Sequence, residues 1–151
     1  MTHMTKREAN TVQKSLRVPQ DIAQSIEELA EESRRDFSSV TNEMLTEAVR
    51  MRRCPGIVFA DGPSGRRARI AGTGLDVWEV VAAYKSVGRD WDRLCLAFHW
   101  LSQDQLRAGL GYYAAYPEEI EKRIARNEAW TPQRLARLHP VLSPTGSSNG
   151  R

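Results

Sequence analysis

The chain has 151 residues, enough for one domain or for two small ones. Hydrophobic residues make up 40% and charged residues 27%, ordinary for a soluble globular protein, and no apolar run approaches the roughly 18 residues that a membrane-spanning helix needs. The net charge of +3 is evenly distributed until the end of the chain: residues 1–53 hold nine Lys/Arg and nine Asp/Glu, residues 54–130 hold ten of each, and the surplus is Arg134, Arg137 and Arg151. Bulk basicity therefore gives no argument for nucleic acid, and any such argument must rest on where charges sit.

Residues 1–10 lack the apolar stretch of a secretory signal. Cys54 and Cys95 have neither a Cys-x-x-Cys spacing nor a nearby histidine pair, which suggests free thiols in a reducing cytoplasm.

Residues 12–18 form the first candidate element. Val12, Leu16 and Val18 fall on one face at period two, with Gln13, Ser15 and Arg17 on the other and Lys14 interrupting the apolar face. So short a strand, ended by Pro19, has no stability without a partner. Pro19 suits the first turn of a helix, and Ile22, Ile26, Leu29 and Ala30 give that helix an apolar stripe opposite Gln24, Glu27, Glu28 and Glu31. Arg34, Arg35 and Asp36 break the pattern. Ser38 or Ser39 is then expected to cap a second helix with Val40, Met44, Leu45, Ala48 and Val49 as its stripe, and Arg50, Arg52 and Arg53 suit its C-terminal dipole.

One strand and two amphipathic helices in about 42 residues are too little chain for a stable core. Dimerisation resolves this, because two strands pair antiparallel while four helices share a core. At this point residues 11–53 resemble the ribbon-helix-helix family, in its bacterial antitoxin and repressor branch. The resemblance is carried by Ser15-Leu16-Arg17-Val18-Pro19, by Ser38-Ser39-Val40-Thr41-Asn42-Glu43-Met44-Leu45, and by the ending Glu47-Ala48-Val49. It implies a homodimer whose Gln13, Ser15 and Arg17 read base edges of double-stranded operator DNA in the major groove, residue types whose hydrogen-bonding groups fit that task. It also implies a phosphate clamp at the start of the second helix, at Ser38, Ser39 and Val40. Lys14 departs from the apolar residue usual in the family. The alternative is an ordinary edge strand followed by a generic helical hairpin.

The second module, residues 56–129, opens between the turn signals Cys54-Pro55-Gly56 and Gly62-Pro63-Ser64-Gly65. Ile57-Val58-Phe59-Ala60 reads as a strand and Arg67-Ala68-Arg69-Ile70 as its hairpin partner. Gly72-Thr73-Gly74 lacks the remaining residues of a phosphate loop and reads as a turn. Asp76 is expected to cap a helix ending at Gly88, with Val77, Val80, Val81 and Tyr84 inward. Asp90 caps another with Leu94, Leu96, Ala97 and Phe98, and Ser102 a third with Leu106, Leu110 and Tyr113 buried. A fourth begins near Pro117 with Ile120 and Ile124. The two helices from Asp90 and Ser102 have helix-turn-helix proportions, which would put Gln103, Gln105 and Arg107 on a face turned to DNA or to a protein partner. Of the aromatics, Trp78 and Trp100 are expected in the core, and at least one of Tyr112, Tyr116 and Trp130 at an interface.

Residues 57–125 resemble the bacterial family called domain of unknown function 433. The likeness lies in Ile70-Ala71-Gly72-Thr73-Gly74, in Trp100-Leu101-Ser102-Gln103-Asp104-Gln105-Leu106-Arg107-Ala108-Gly109-Leu110, and in Tyr112-Tyr113-Ala114-Ala115-Tyr116-Pro117-Glu118-Glu119. Gly74-Leu75-Asp76 stands where members usually have an arginine and then a proline. This resemblance implies an antitoxin-like protein encoded beside a PIN-like ribonuclease toxin.

In the tail, residues 130–151, the final eight residues read as linker-like and disordered. Arg134, Leu135, Arg137 and Leu138 either fold onto such a toxin or fray as an ordinary terminus. His3, His99 and His139 are scattered and no serine sits in a nucleophile elbow, so neither an enzyme nor a metal or other cofactor is expected. The expected fold is thus mainly α with short β, a ribbon-helix-helix dimer followed by a β-hairpin and a helix-turn-helix-like domain. The expected function is a cytoplasmic, nucleoid-associated antitoxin that represses its own promoter and neutralises the toxin. The alternative is a stand-alone transcriptional or partition-type regulator whose second module contacts DNA or oligomerises dimers.

Overall fold

A computed structural model describes residues 10–63 and 65–127. Among these the protein is mainly helical, with α1 (Gln20–Ser33), α2 (Phe37–Arg53), β1 (Ile57–Ala60), β2 (Arg67–Ile70), α3 (Val77–Ser86), α4 (Trp91–Ala97), α5 (Gln103–Ala115) and α6 (Pro117–Arg126). It divides into two compact units between Leu45 and Thr46, inside α2. The expected domain end at residue 53 coincides with the end of α2 instead.

In the first unit, α1 follows Pro19 directly and ends at Arg34, whose φ of 54° is a left-handed capping conformation. That turn lets the Arg35 N–H donate to the Ala30 carbonyl at 2.9 Å. The next helix is capped by Asp36, not by either serine: Asp36 Oδ1 accepts the Ser39 N–H at 2.7 Å, and Oδ2 accepts the Ser39 hydroxyl at 3.0 Å. A carboxylate three residues before an N–H is the ordinary capping geometry, and it starts the helix at Phe37, two residues earlier than a Ser38 cap and three earlier than a Ser39 cap would. The unit's core is Ile26, Ala30 and Val40, with Met44 packed against them.

In the second unit, β1 and β2 pair antiparallel with Ile57 opposite Ile70 and Ala60 opposite Arg67. Ile57, Ala68 and Ile70 turn inward. Thr73 sits between two glycines of positive φ, Gly72 and Gly74; its hydroxyl donates to the Ile70 carbonyl and accepts the Leu75 N–H. The glycine-threonine stretch is a turn, built by its own hydrogen bonds. Val77, Val80, Val81 and Ala83 of α3 are fully buried against α5 and α6, and the Glu79 carboxylate closes a capping box on the Asp76 N–H at 2.9 Å. Asp90 and Ser102 cap α4 and α5 as their spacing predicts, at 3.0 and 3.1 Å.

Burial departs from the sequence expectation at three places. Leu96 is 64% exposed, because α4 has only seven residues and its inward face is filled by Leu94 and Ala97. Trp100 is 52% exposed; it lies in the turn after α4, where Phe98 takes the buried position and meets the indole edge-on. Leu110 and Tyr113, expected to be buried, are only partly so, while Tyr112 is fully buried in the core. A helix turns 100° per residue, so the stripe begun by Leu106 passes between positions 112 and 113.

Candidate nucleic-acid interface

Residues 11–19 form neither helix nor strand within the single chain, and all are exposed. Among the described residues no strand lies beside them. The apolar residues of the alternating pattern are in water: Val12 is 77% exposed and Leu16 71%. Gln13, Ser15 and Arg17 are exposed beside them.

The same imbalance continues along the two helices. Ile22 and Leu29 on α1, and Phe37, Leu45, Val49 and Met51 on α2, are all large apolar side chains left exposed. Single exposed hydrophobics are common on any surface; a series at helical spacing on consecutive elements is not. Burying six such side chains would bring about 1.5–3 kcal/mol for each one fully covered. That is large against the three-residue core the first unit holds by itself.

At the start of α2 the expected phosphate clamp is already engaged. The Ser39 N–H is taken by Asp36 Oδ1, the Val40 N–H by the Asp36 carbonyl at 3.2 Å, and the Val40 side chain is buried. The Ser39 backbone and hydroxyl hydrogen bonds hold the Asp36 carboxyl below the usual carboxylate range, so a negative charge stands at the helix start. An incoming phosphate must displace or tolerate it.

A polar network in the second unit went unread in the sequence. Arg50, in the last turn of α2, donates to the Tyr112 hydroxyl at 2.9 Å, pairs with Glu119 and lies 4.4 Å above the centre of the Tyr116 ring. The Tyr112 hydroxyl in turn lies 3.0 Å from both Glu119 carboxylate oxygens. Burial, and then the adjacent Glu119 charge, push the Tyr112 pKa well above the usual phenol value, so it stays a neutral donor. Beside this network the buried Glu47 accepts from Arg66 Nε at 2.7 Å. The hydrogen bond to Glu47 raises the Arg66 pKa despite partial burial. Nothing in local spacing pairs residue 47 with residue 66, or residue 50 with residue 119.

Of the residues expected on a second surface, Gln103 and Arg107 are exposed and Gln105 is half-buried. They serve local structure: Gln105 Oε1 accepts the Ser102 N–H at 2.9 Å, and Arg107 reaches Gln103 at 3.2 Å while lying over the Trp91 ring. Arg134, Leu135, Arg137, Leu138 and Trp130 lie outside the described residues, as do His3 and His139. Among the described residues Cys54 and Cys95 are free thiols, no cluster of His, Cys, Asp and Glu is arranged to hold a metal ion, and no helix is long and apolar enough to cross a membrane. Compared with protein-family models, curated proteins and solved structures, the chain matches none of them.

Proposed function

We propose that the chain is a dimeric, sequence-specific DNA-binding regulator, in which residues 12–18 of two copies pair as a ribbon and present Gln13, Ser15 and Arg17 to the major groove. The observation that carries this reading is the exposure of Val12, Leu16, Ile22, Leu29, Leu45 and Val49 in the single chain, at strand spacing and then at helical spacing. A second copy supplies the missing cover for this stripe, and strand pairing places the opposite, polar face of the ribbon outward. On that face one glutamine, one serine and one arginine offer the donors and acceptors that discriminate base pairs. The acidic cap at Asp36 makes the start of α2 the weaker of the two expected contacts. The second unit and the tail are the partner-binding part of an antitoxin in this reading, with a PIN-like ribonuclease as the partner.

The test is selection of duplexes from a random-sequence pool by the full-length chain, followed by gel-shift titration of the winning sequence. Arg17→Ala is expected to cost about 1–3 kcal/mol of specific binding and to relax preference at one base pair per half-site. Recovery of a sequence that Arg17→Ala binds equally well would overturn the assignment of the reading face.

A further inference from the structure

Beside the Arg50 network, the second unit carries an open cleft of about 720 Å³ between the last turn of α2, the connection from β1 to β2, and α6. Five cationic side chains line it, Arg50, Arg66, Lys122, Arg123 and Arg126, against two carboxylates, Glu118 and Glu119. The stretch that holds most of them is neutral as a whole, with ten Lys/Arg and ten Asp/Glu over residues 54–130. The cations are therefore sorted onto this face.

The cleft divides into a fixed part and a free part. Glu119 and Tyr112 hold Arg50, Glu47 holds Arg66, and Arg123 donates to the Arg66 carbonyl at 3.3 Å. Lys122 and Arg126 are exposed and, among the described residues, pair with no carboxylate. They stand one turn apart on α6, about 6 Å along its axis, and share one face on which the nearest acid is Glu118, a turn before Lys122. That separation spans roughly two phosphates along one strand of a duplex. An enclosed pocket would suit a small anion, whereas this row of cations along an open face suits a polyanion. Guanidinium groups held rigidly from behind are well matched to phosphate oxygens.

We infer that this cleft is a second contact to duplex DNA, in which Lys122 and Arg126 take backbone phosphates alongside the Arg50 and Arg66 guanidiniums. The inference rests on the DNA-binding reading above and adds to it a sequence-independent contact from the second unit, at a face other than Gln103, Gln105 and Arg107. Phosphate contacts position a protein without selecting sequence, and each one neutralised releases counterions. Their signature is thus in the salt dependence rather than in base preference.

The experiment measures fluorescence anisotropy of the full-length chain on two labelled duplexes, the selected sequence and a mixed sequence, across a series of salt concentrations. The double variant Lys122→Ala/Arg126→Ala is expected to weaken binding to both duplexes alike, and to lower the slope of log affinity against log salt by about one for each phosphate no longer neutralised. Both side chains are exposed, so its thermal unfolding is expected to match the wild type, which separates a missing phosphate partner from a damaged fold. An unchanged slope, with Arg17→Ala still weakening the selected duplex, overturns the cleft contact and leaves the ribbon standing; the cationic face would then serve carboxylates of a protein. A lowered slope with no effect of Arg17→Ala supports the cleft and overturns the assignment of the ribbon's reading face. Failure of the wild-type chain to bind either duplex at any salt concentration overturns both.

Discussion

Tyr112 shows how one side chain joins the core to the polar network above it. Its ring is fully buried and meets Phe59 edge-on, while its hydroxyl bridges Arg50 and Glu119. Tyr112→Phe keeps the ring and removes the bridge, but leaves Arg50 and Glu119 paired with each other. The expected cost is therefore that of a single hydrogen bond, about 1 kcal/mol, read as a lower thermal midpoint at unchanged cooperativity. A loss several times larger would mean that the hydroxyl also holds the ion pair together. Helical spacing pointed to burial of Tyr113, although both tyrosines fall near the stripe of Leu106 and Gly109. Both hydroxyls find partners, Tyr112 with Arg50 and Glu119 and Tyr113 with Glu121, so local spacing alone does not choose between them. Trp100 went the other way: its large apolar ring suggested the core, but Phe98 takes the buried position beside it.

Element boundaries were more legible than burial, because caps and turns are local chemistry. The hairpin of β1 and β2, the glycine-threonine turn and the starts of α3, α4, α5 and α6 lie where Gly, Pro, Asp and Ser place them. The exception is α2, where three neighbouring candidates, Asp36, Ser38 and Ser39, could each act as the cap. The carboxylate prevails because it accepts both the Ser39 N–H and the Ser39 hydroxyl. This cap carries a pH dependence. The folded-state pKa of Asp36 is depressed below its ordinary 3.8, so its contribution is present above that value and is lost as pH falls through the folded pKa. Asp36→Asn keeps the acceptor and removes the titration. Below pH 3.8 the wild type is expected to lose more helical circular dichroism than this variant. Parallel acid curves for the two proteins would remove Asp36 from the account of α2.

For the whole molecule, the two units differ in how much of their stability lies within one chain. Among the described residues the second buries fifteen apolar side chains in one cluster, whereas the first buries three. The exposed stripe of the first was readable from periodicity, but periodicity cannot say whether an apolar face meets the same chain or a copy of it. In the proposed dimer Leu45, 54% exposed in the single chain, lies under the partner. Leu45→Asp is then expected to dissociate the dimer in sedimentation equilibrium and to make the thermal midpoint of α1 and α2 independent of protein concentration. In a monomeric protein the same exposed substitution would be nearly neutral. The most direct test of the paired ribbon is backbone amide hydrogen exchange of the full-length chain over residues 12–18, followed at several protein concentrations. The paired ribbon predicts slowed exchange at alternate residues, deepening as concentration rises and abolished in Leu45→Asp. Fast exchange throughout this segment at every concentration would contradict it.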